Sequence, residues 1–393
     1  MKKKFSVIFI LFAFIISMGT MLSFAKPKAM AFALENQHEF KSKEVYLIDK
    51  NSNTVIFAKN ETEKRPIASM CKIMTLLLCF EEIDAGNIAL TDNILVSDNA
   101  QSMGGSQVFL ESGAEYPVSE LIKGIVVASA NDACVAMAEK IAGSESSFVD
   151  KMNEKALILG MNDTKFSNCT GLPKAEQYSC AKDVATMFSE LLEHDEYYKF
   201  SSIWMDEIKH PNERITEISN TNKLIKFYDG CDSGKTGYTG EAGHCLCASA
   251  KRNGMRLISV VISAPDSKTR FNEVSFMFNY GFDNFTNKQI VDGESALKIP
   301  VAIKGGKKDC VKVKPEKSLY LFMKKGENRS VELSFTPIEK VKAPVNKGDV
   351  LGELTVYENG VEIASVKAIS CETVKRATYF DSIKDVTNNW TIL

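Results

Sequence analysis

The pattern of hydrophobic and polar positions divides the chain into two parts of different predicted structure. Between residues 40 and 285, strand-like runs stand at both ends and segments with helical spacing lie between them. Residues 44–49 and 54–58 are joined by a polar cluster of turn-forming residues, which predicts a hairpin. Three further strand-like runs, separated by turn residues, predict an antiparallel meander at 234–239, 245–250 and 256–263.

The segments between these strands repeat their apolar residues every three or four positions, as a helix with one buried face does. The predicted helices are one that begins near Ala68 and five at 118–128, 133–142, 148–159, 179–188 and 271–280. We expect Ser179 to cap the fifth helix and Gly281 to end the sixth. Residues 200–228 are polar and predict irregular structure. Strands at both ends with helices between them indicate an α+β domain.

From residue 298 to 375 the helical period is absent, and short alternating runs take its place. These runs predict strands at 310–314, 319–323, 331–335, 350–357 and 361–366. We therefore predict a small all-β domain in this part of the chain. The predicted order is a signal peptide at 1–33, the α+β domain at 34–285, the β-rich domain at 286–376 and a tail at 377–393.

The two ends of the chain carry patterns of their own. Residues 1–4 are basic, residues 5–18 are apolar, and small residues follow up to Ala31 and Ala33, which is the layout of a cleaved signal peptide. An uncleaved anchor over residues 5–24 is the alternative, and either reading places the functional part outside the cytoplasm. In the tail, the apolar spacing suits a short amphipathic helix that lies on a membrane or packs on a partner, although it lacks a basic face.

Composition adds limits to this picture. A length of 393 residues suggests about two domains, and a formal net charge of −2 gives no reason to propose a nucleic-acid partner. The ten cysteines are scattered, and several lie in apolar runs, where cysteine packs as a small hydrophobe. Pairing of Cys169 with Cys180 stays open. A metal site at His244, Cys245 and Cys247 is less favoured than core packing, and no cofactor is predicted.

Ser69 and Lys72 form the first candidate for chemistry. Pro66 stands just before the predicted helix start, so Ser69 lies in the first turn, where free N–H groups and the helix dipole favour developing negative charge. Lys72 follows three residues later on the same face. A hydroxyl beside an amine is what an activated serine nucleophile needs. A helix cap and a solvated lysine would explain the same four letters, so this pair does not decide by itself.

Two more elements follow in order and change the balance. Ser129 and Asn131 lie in a loop between two predicted helices, and Lys235-Thr236-Gly237 lies on a predicted strand. The set Ser-x-x-Lys, Ser-x-Asn and Lys-Thr-Gly is that of the active-site serine penicillin-binding enzymes. Most of residues 40–285 resembles the low-molecular-mass D-alanyl-D-alanine carboxypeptidases, or penicillin-binding proteins of the type-5 kind. Further segments that carry the resemblance are 105–110, 128–138, 170–172, 178–179 and 234–239.

The resemblance implies a β-lactamase/transpeptidase-like domain followed by the family's small β domain. It implies an exported enzyme of cell-wall biogenesis that removes the terminal D-Ala of peptidoglycan stem peptides through an acyl-enzyme on Ser69, and that β-lactams inhibit. A neutral Lys72 is the base, favoured by burial and by positive charge on Lys235. Ser129 relays a proton to the leaving amine, and Asn131 holds the peptide.

The remaining site residues also follow from the resemblance. Lys235 and Thr236 suit the terminal carboxylate of the substrate, and Gly237 lets the strand approach it without a Cβ. The backbone N–H groups of Ser69 and Tyr238 form the oxyanion hole. Tyr238 stands at a position where the family often has histidine, which is a departure from the family pattern. Arg270 matches a family arginine near the carboxylate site, and a surface arginine at a helix start is its alternative.

One more departure from the family pattern, after Tyr238, and two competing functions complete the expectations. Cys71 lies inside the Ser-x-x-Lys element, and we expect it to be buried and to play no part in the chemistry. A serine β-lactamase shares all three elements, but the domain after residue 286 and the lack of an obvious Glu-x-x-x-Asn sequence argue against it. A non-catalytic cell-wall scaffold is the other alternative, and the intact elements argue against that.

Overall fold

The computed structural model describes residues 38–379 and residue 381. The predicted signal peptide lies outside the described residues, and so does the predicted tail helix except for residues 377–379 and 381. None of the helices in the described part of the chain is both long enough and apolar enough to cross a membrane.

The first part of the chain contains nine strands and nine α-helices among the described residues, besides a 3₁₀ turn at Ala68–Cys71 and a π-helical turn at Gly124–Ala128. The strands are β1 (Glu44–Asp49), β2 (Thr54–Lys59), β3 (Asn93–Leu95), β4 (Glu115–Pro117), β5 (Met205–Lys209), β6 (Ile215–Ser219), β7 (Cys231–Thr239), β8 (Gly243–Arg252) and β9 (Met255–Ala264). The helices are α1 (Lys72–Asp84), α2 (Asp98–Gln101), α3 (Val118–Lys123), α4 (Asn131–Ala142), α5 (Glu145–Ile158), α6 (Ala181–Leu191), α7 (Tyr197–Ser201), α8 (Leu224–Phe227) and α9 (Ser267–Asn284).

Five of these strands form one antiparallel sheet in the order β2-β1-β9-β8-β7, which confirms the predicted hairpin and meander. Helices α1 and α6 pack against each other on one side of the sheet, where the larger apolar core lies. Helix α9 packs against β8 and β9 on the other side, around a second core. Strand β7 is at an edge, so one of its long sides is open to a ligand.

Several element predictions are wrong in detail. The stretch predicted to be irregular contains the β5–β6 hairpin. Cys180, and not the predicted Ser179, holds the N-cap position of α6. The Ser179 Oγ forms a hydrogen bond of 2.8 Å with Thr164 Oγ1. Helix α9 continues past Gly281 to Asn284, so this glycine does not end it. The glycine instead lets the helix pack closely on Leu257, whose Cδ1 would lie 2.4 Å from an added Cβ. The predicted 118–128 helix is α only to Lys123 and then widens into a π-helical turn.

In the second part of the chain, residues 285–376 form strands and turns without a helix. The strands are β10 (Phe285–Val291), β11 (Val301–Ala302), β12 (Cys310–Val311), β13 (Val313–Pro315), β14 (Leu319–Lys324), β15 (Glu332–Pro337), β16 (Val350–Glu358) and β17 (Val361–Ser370). A four-stranded sheet has the order β13-β17-β16-β15, and β10 pairs with β14. The predicted all-β character is confirmed, although β10 and β11 were not predicted. The two parts meet where Asn287 Nδ2 donates to Asp49 Oδ1, at 2.7 Å.

Candidate active site

Ser69 lies in a tight 3₁₀ turn, Ala68–Cys71, that leads directly into α1. It is half-buried, whereas its neighbours in the turn are buried. Ala68 has a φ of +48°, an uncommon value for a residue with a side chain. The carbonyl of Ala68 faces Gly171, where an added Cβ would lie only 2.1 Å from that oxygen. The turn that presents Ser69 is therefore strained and closely backed by the chain at Gly171.

Lys72 is fully buried at the start of α1, with its amine beside Ser69. Its Nζ donates to Ser69 Oγ at 3.2 Å, to Asn131 Oδ1 at 2.6 Å and to the carbonyl of Thr170. These three acceptors match the three donors of an ammonium group. Because the acceptors come from α4 and from the loop at residue 170, the tertiary fold fixes the amine against the hydroxyl.

Ser129 and Lys235 form a second pair beside the first. The π-helical turn Gly124–Ala128 ends at Ser129, whose φ of +62° turns the chain toward the site. Lys235 on β7 is buried, and its Nζ donates to Ser129 Oγ at 2.8 Å and to the Thr236 carbonyl at 3.1 Å. One of the three ammonium donors of Lys235 has no hydrogen-bond acceptor among the described residues.

The electrostatics of the site are unusual because two buried lysines share it. Among the described residues, no carboxylate is hydrogen-bonded or ion-paired to either Lys72 or Lys235. Burial, and then the positive charge of Lys72, lower the pKa of Lys235 well below its ordinary value. The site therefore favours an incoming anion, which would supply the missing negative charge.

The end of β7 closes the site next to Ser69. At Gly237 an added Cβ would lie 2.7 Å from the Ile67 carbonyl and 3.3 Å from Ser69 N, so only glycine lets the strand come this close. Thr236 is buried. Tyr238 is 61% exposed and stacks on His244 with ring centroids 4.3 Å apart. A groove of about 480 Å³ lies beside the Ser69 turn, lined by residues 66–68, 171–178, Thr239 and Glu241.

Arg270 lies on α9, behind the end of β7. Its Nη1 donates to the Gly237 carbonyl at 3.0 Å and to the Cys245 carbonyl at 3.2 Å. Its Nε is buried and has no hydrogen-bond partner among the described residues. Burial lowers the pKa of Arg270. The predicted alternative of a surface arginine is wrong, since this side chain is buried against the strand that closes the site.

The comparisons with known proteins agree with this arrangement. The sequence profile of the D-alanyl-D-alanine carboxypeptidase family matches residues 31–266, and that of the penicillin-binding protein 5 C-terminal domain matches residues 285–376. The chain belongs to the D-alanyl-D-alanine carboxypeptidase family. The predicted resemblance is confirmed. The sequence is 40% identical to the D-alanyl-D-alanine carboxypeptidase DacF of Bacillus subtilis (strain 168) over 358 residues, which are 91% of either chain.

Other relatives are similar over the same span. The D-alanyl-D-alanine carboxypeptidase DacC of Escherichia coli (strain K12) is 33% identical over 371 residues, 90% of each chain. Penicillin binding protein 5 from Haemophilus influenzae has a TM-score of 0.68 at 29% identity, covering 86% of this chain and 99% of that one. PBP3 from Streptococcus pneumoniae, titled a peptidoglycan synthesis regulatory factor, has a TM-score of 0.69 at 26% identity, covering 86% of this chain and 100% of that one. The predicted fold, a sheet flanked by helices and followed by a β domain, is confirmed.

Sequence reasoning missed the residues that hold the carboxypeptidase site together. The buried carboxylate of Asp132 accepts the N–H groups of Val108 and Leu110, and the Gly104 carbonyl accepts a hydrogen bond from Asn131 Nδ2 at 2.6 Å. The Asn168 side chain accepts the N–H groups of Thr170 and Gly171. Asp132 directly follows Asn131 in the sequence, which is a signal for its role. No comparable signal marked Asn168.

The cysteines of the carboxypeptidase are all free thiols. Cys71 is buried, as predicted, and its Sγ donates to the Asn168 carbonyl at 3.3 Å. Cys169 and Cys180, whose pairing was left open, are unpaired. Cys245 and Cys247 are buried in the core, and the described residues contain no group of three or more His, Cys, Asp or Glu side chains able to hold a metal ion.

Proposed function

We propose that this carboxypeptidase removes the terminal D-Ala of peptidoglycan stem peptides by forming an acyl-enzyme on Ser69. The observation that carries the proposal is the contact of 3.2 Å between Lys72 Nζ and Ser69 Oγ. It places a nucleophile and a base within reach of each other, at a turn that is closely backed by Gly171 and Gly237. The geometry supports the roles below.

Lys72 acts as the base in its neutral form. A neutral amine keeps two donors and gains a lone pair. The two donors stay on Asn131 Oδ1 and the Thr170 carbonyl, and the lone pair faces Ser69 Oγ, from which it accepts the proton. Ser69 Oγ then bonds to the carbonyl carbon of the penultimate D-Ala. The backbone N–H groups of Ser69 and Tyr238 stabilise the oxyanion, an effect that is worth about 3 kcal/mol per donor in other enzymes.

The leaving group is the amine of the terminal D-Ala. The C–N bond breaks as Ser129 passes its proton to the departing nitrogen and takes the proton of the Lys72 ammonium in exchange, while Lys235 holds the Ser129 hydroxyl at 2.8 Å. Water then attacks the ester carbonyl and gives a proton to Lys72, which returns it to Ser69 Oγ as the C–O bond to Ser69 breaks. The products are free D-Ala and a stem peptide that ends in the penultimate D-Ala.

The terminal carboxylate of the substrate supplies the anion that the two buried lysines lack. We place it at the free donor of Lys235 and at the Thr236 hydroxyl, with Arg270 supporting the strand through the Gly237 carbonyl. When the carboxylate binds, it stabilises the ammonium form of Lys235, whose pKa burial lowers in the free enzyme. Asn131 holds the peptide backbone, and the groove beside Ser69 accommodates the upstream stem.

Penicillins enter the same chemistry because they also carry a carboxylate next to a reactive amide. Their acyl-enzyme should persist, since no carboxylate is bonded to Ser69 or Lys72 in the described part of the chain to activate a water. The predicted signal peptide and the substrate both support a location at the outer face of the cell membrane or in the cell wall. Membrane contact through the C-terminal tail is part of this proposal.

The experiment is mass spectrometry of the intact protein after incubation with penicillin. We expect a stable mass increase of one penicillin, located on the Ser69 peptide, and D-Ala release from a synthetic stem pentapeptide. Ser69→Ala should lose both. Ser146→Ala, at an exposed serine in the first turn of α5, is the matched control and should lose neither.

Three outcomes would contradict the proposal. Rapid turnover of penicillin with no persistent adduct would identify a β-lactamase. Unchanged D-Ala release by Ser69→Ala would show that another group carries the reaction, and no release by the unmodified enzyme would support a non-catalytic scaffold.

A further inference from the structure

Charge is divided unevenly between the two parts of the chain. Residues 38–284 contain 25 Lys and Arg against 35 Asp and Glu, a net charge of −10. Residues 285–376 contain 17 Lys and Arg against 12 Asp and Glu, a net charge of +5. The overall charge of −2 conceals this division. A basic module attached to an acidic enzyme indicates that the two parts meet different surroundings.

The basic module contains a concave site lined largely by cations. A shallow cavity of about 420 Å³ is bounded by six residues, Lys304, Gly305, Lys342, Ala343, Arg376 and Ala377. Three of the six are Lys or Arg, and all three side chains are exposed. We call these three residues the cationic site.

Main-chain hydrogen bonds fix the three cations relative to one another. Lys304 N donates to the Val341 carbonyl at 2.9 Å, and Ala343 N donates to the Lys304 carbonyl at 3.0 Å. Ala377 N donates to the Gly305 carbonyl at 2.9 Å, which brings the segment after Arg376 alongside. Three chain segments that are distant in sequence thus present one cation each to the same cavity.

In the part of the chain that the structure describes, ion pairs engage other lysines and not these three cations. Neighbouring lysines are paired, Lys307 with Asp381 at 3.2 Å and Lys308 with Glu372. Within the described residues, Lys304, Lys342 and Arg376 make no ion pair, and Arg376 Nε donates only to the Ala343 carbonyl, at 3.3 Å. The carboxylates of Glu372 and Asp381 are thus engaged by other lysines, which leaves the cationic site open to an external anion.

The position of the cationic site in the chain indicates which anion it meets. It borders Ala377, the residue at which the tail begins. The tail sequence has the apolar spacing of a surface helix but lacks a basic face, since Lys384 stands against Asp381 and Asp385. An amphipathic helix binds membranes through apolar burial and through attraction to anionic lipids. Here the tail would supply the first contribution and the cationic site the second.

We propose that Lys304, Lys342 and Arg376 bind the phosphate groups of anionic phospholipids and hold the β domain on the outer face of the cell membrane, beside the tail. The proposal rests on the extracytoplasmic location given under the proposed function. The same surface repels the first domain, with its net charge of −10, so the cationic site also orients the enzyme with its catalytic part away from the membrane.

The test is co-sedimentation of the full mature chain with vesicles of phosphatidylcholine alone and of phosphatidylcholine mixed with phosphatidylglycerol. Each basic residue near an anionic membrane strengthens binding about fivefold, so K304Q/K342Q/R376Q should bind the mixed vesicles roughly 100-fold more weakly. Binding to pure phosphatidylcholine should not change. Added salt should weaken the binding of the unmodified chain to the mixed vesicles and should have little effect on the binding of the triple variant.

A control separates the cationic site from the general charge of the β domain. K288Q/K298Q/K317Q makes the same change in net charge at three exposed lysines outside the site. It should keep most of the binding, and an equal loss would overturn the proposal. Soluble polyglycerol phosphate tests the competing class of partner, because tight binding to it without binding to anionic vesicles would assign the site to a wall polymer instead.

Both triple variants should still form the penicillin adduct, which shows that their catalytic part is folded. The adduct tests the proposed function, and vesicle binding tests the cationic site. Either result can fail while the other holds, so the two proposals stay distinguishable.

Discussion

Lysines in the two parts of this protein illustrate how environment decides what a charge can do. Lys72 and Lys235 are buried side by side, with no carboxylate bonded to either in the described part of the chain, and burial together with the charge of Lys72 lowers the pKa of Lys235. Lys304 and Lys342 are exposed on a domain of net charge +5, where water solvates their side chains. The first pair is suited to proton transfer, and the second pair is suited to permanent attraction. The difference lies in desolvation and not in residue type.

The comparison is tested most severely at Lys72. Lys72→Met removes the base but keeps much of the side-chain volume, so acylation by penicillin and kcat/KM for D-Ala release should fall by ~10³-fold. Lys59→Met is the matched control, since Lys59 Nζ also donates to buried carbonyls, those of Phe40 and Ser42, but lies outside the site. It should keep its acylation rate. A Lys72→Met enzyme that acylates normally would show that some other group deprotonates Ser69.

Lys235 sharpens the comparison through pH. Since the pKa of Lys235 is lowered, its ammonium form is lost at a lower pH than that of an exposed lysine. Substrate carboxylate binding needs that ammonium, so KM should rise as pH increases through the lowered pKa. Lys235→Arg keeps its charge at every accessible pH and should remove this rise, whereas Lys235→Gln should lower kcat/KM roughly 10- to 100-fold at neutral pH. A KM that is independent of pH in the unmodified enzyme would contradict the role.

Sequence reasoning reached the chemistry of this site through local spacing. Ser69 and Lys72 are one helical turn apart, so their contact followed from the sequence. The other acceptors of Lys72 lie 59 and 98 residues away, at Asn131 and Thr170, and only the fold brings them to the amine. The lowered pKa of Lys235 likewise depends on burial that no spacing reveals.

The missed elements have physical reasons of the same kind. The β5–β6 hairpin buries only Ile208 and Ile218 fully, so its alternation is too weak to predict strands. Strand β10 is mostly polar between its buried ends, and its partner β14 lies about thirty residues later. Gly281 was misread because glycine serves close packing here and not helix termination.

Gly171 tests whether the buried lysine depends on the strained turn that faces it. Gly171→Ala would place a Cβ 2.1 Å from the Ala68 carbonyl, at a φ of +81°, and must shift either the Ser69 turn or the Thr170 carbonyl that holds Lys72. We expect kcat/KM to fall roughly tenfold, which is less than the roughly hundredfold loss that follows when reacting groups are misplaced by about 1 Å. Gly143→Ala has nearly the same φ, +78°, with open space around its Cβ, and should lose stability but not activity.

Cysteine reactivity sharpens the comparison where the expected effect on activity is smallest. The eight cysteines of the first part are buried, whereas Cys310 in the β domain is exposed. Burial raises the pKa of the Cys71 thiol, even though Lys72 is adjacent, so the reactive thiolate is scarce beside the active site. Iodoacetamide under native conditions should label Cys310 and leave the rate of penicillin acylation unchanged. Cys310→Ser should remove most of the label. Loss of acylation with the label mapped to Cys71 would instead show that the Cys71 thiol is accessible and that the Ser69 turn opens in solution.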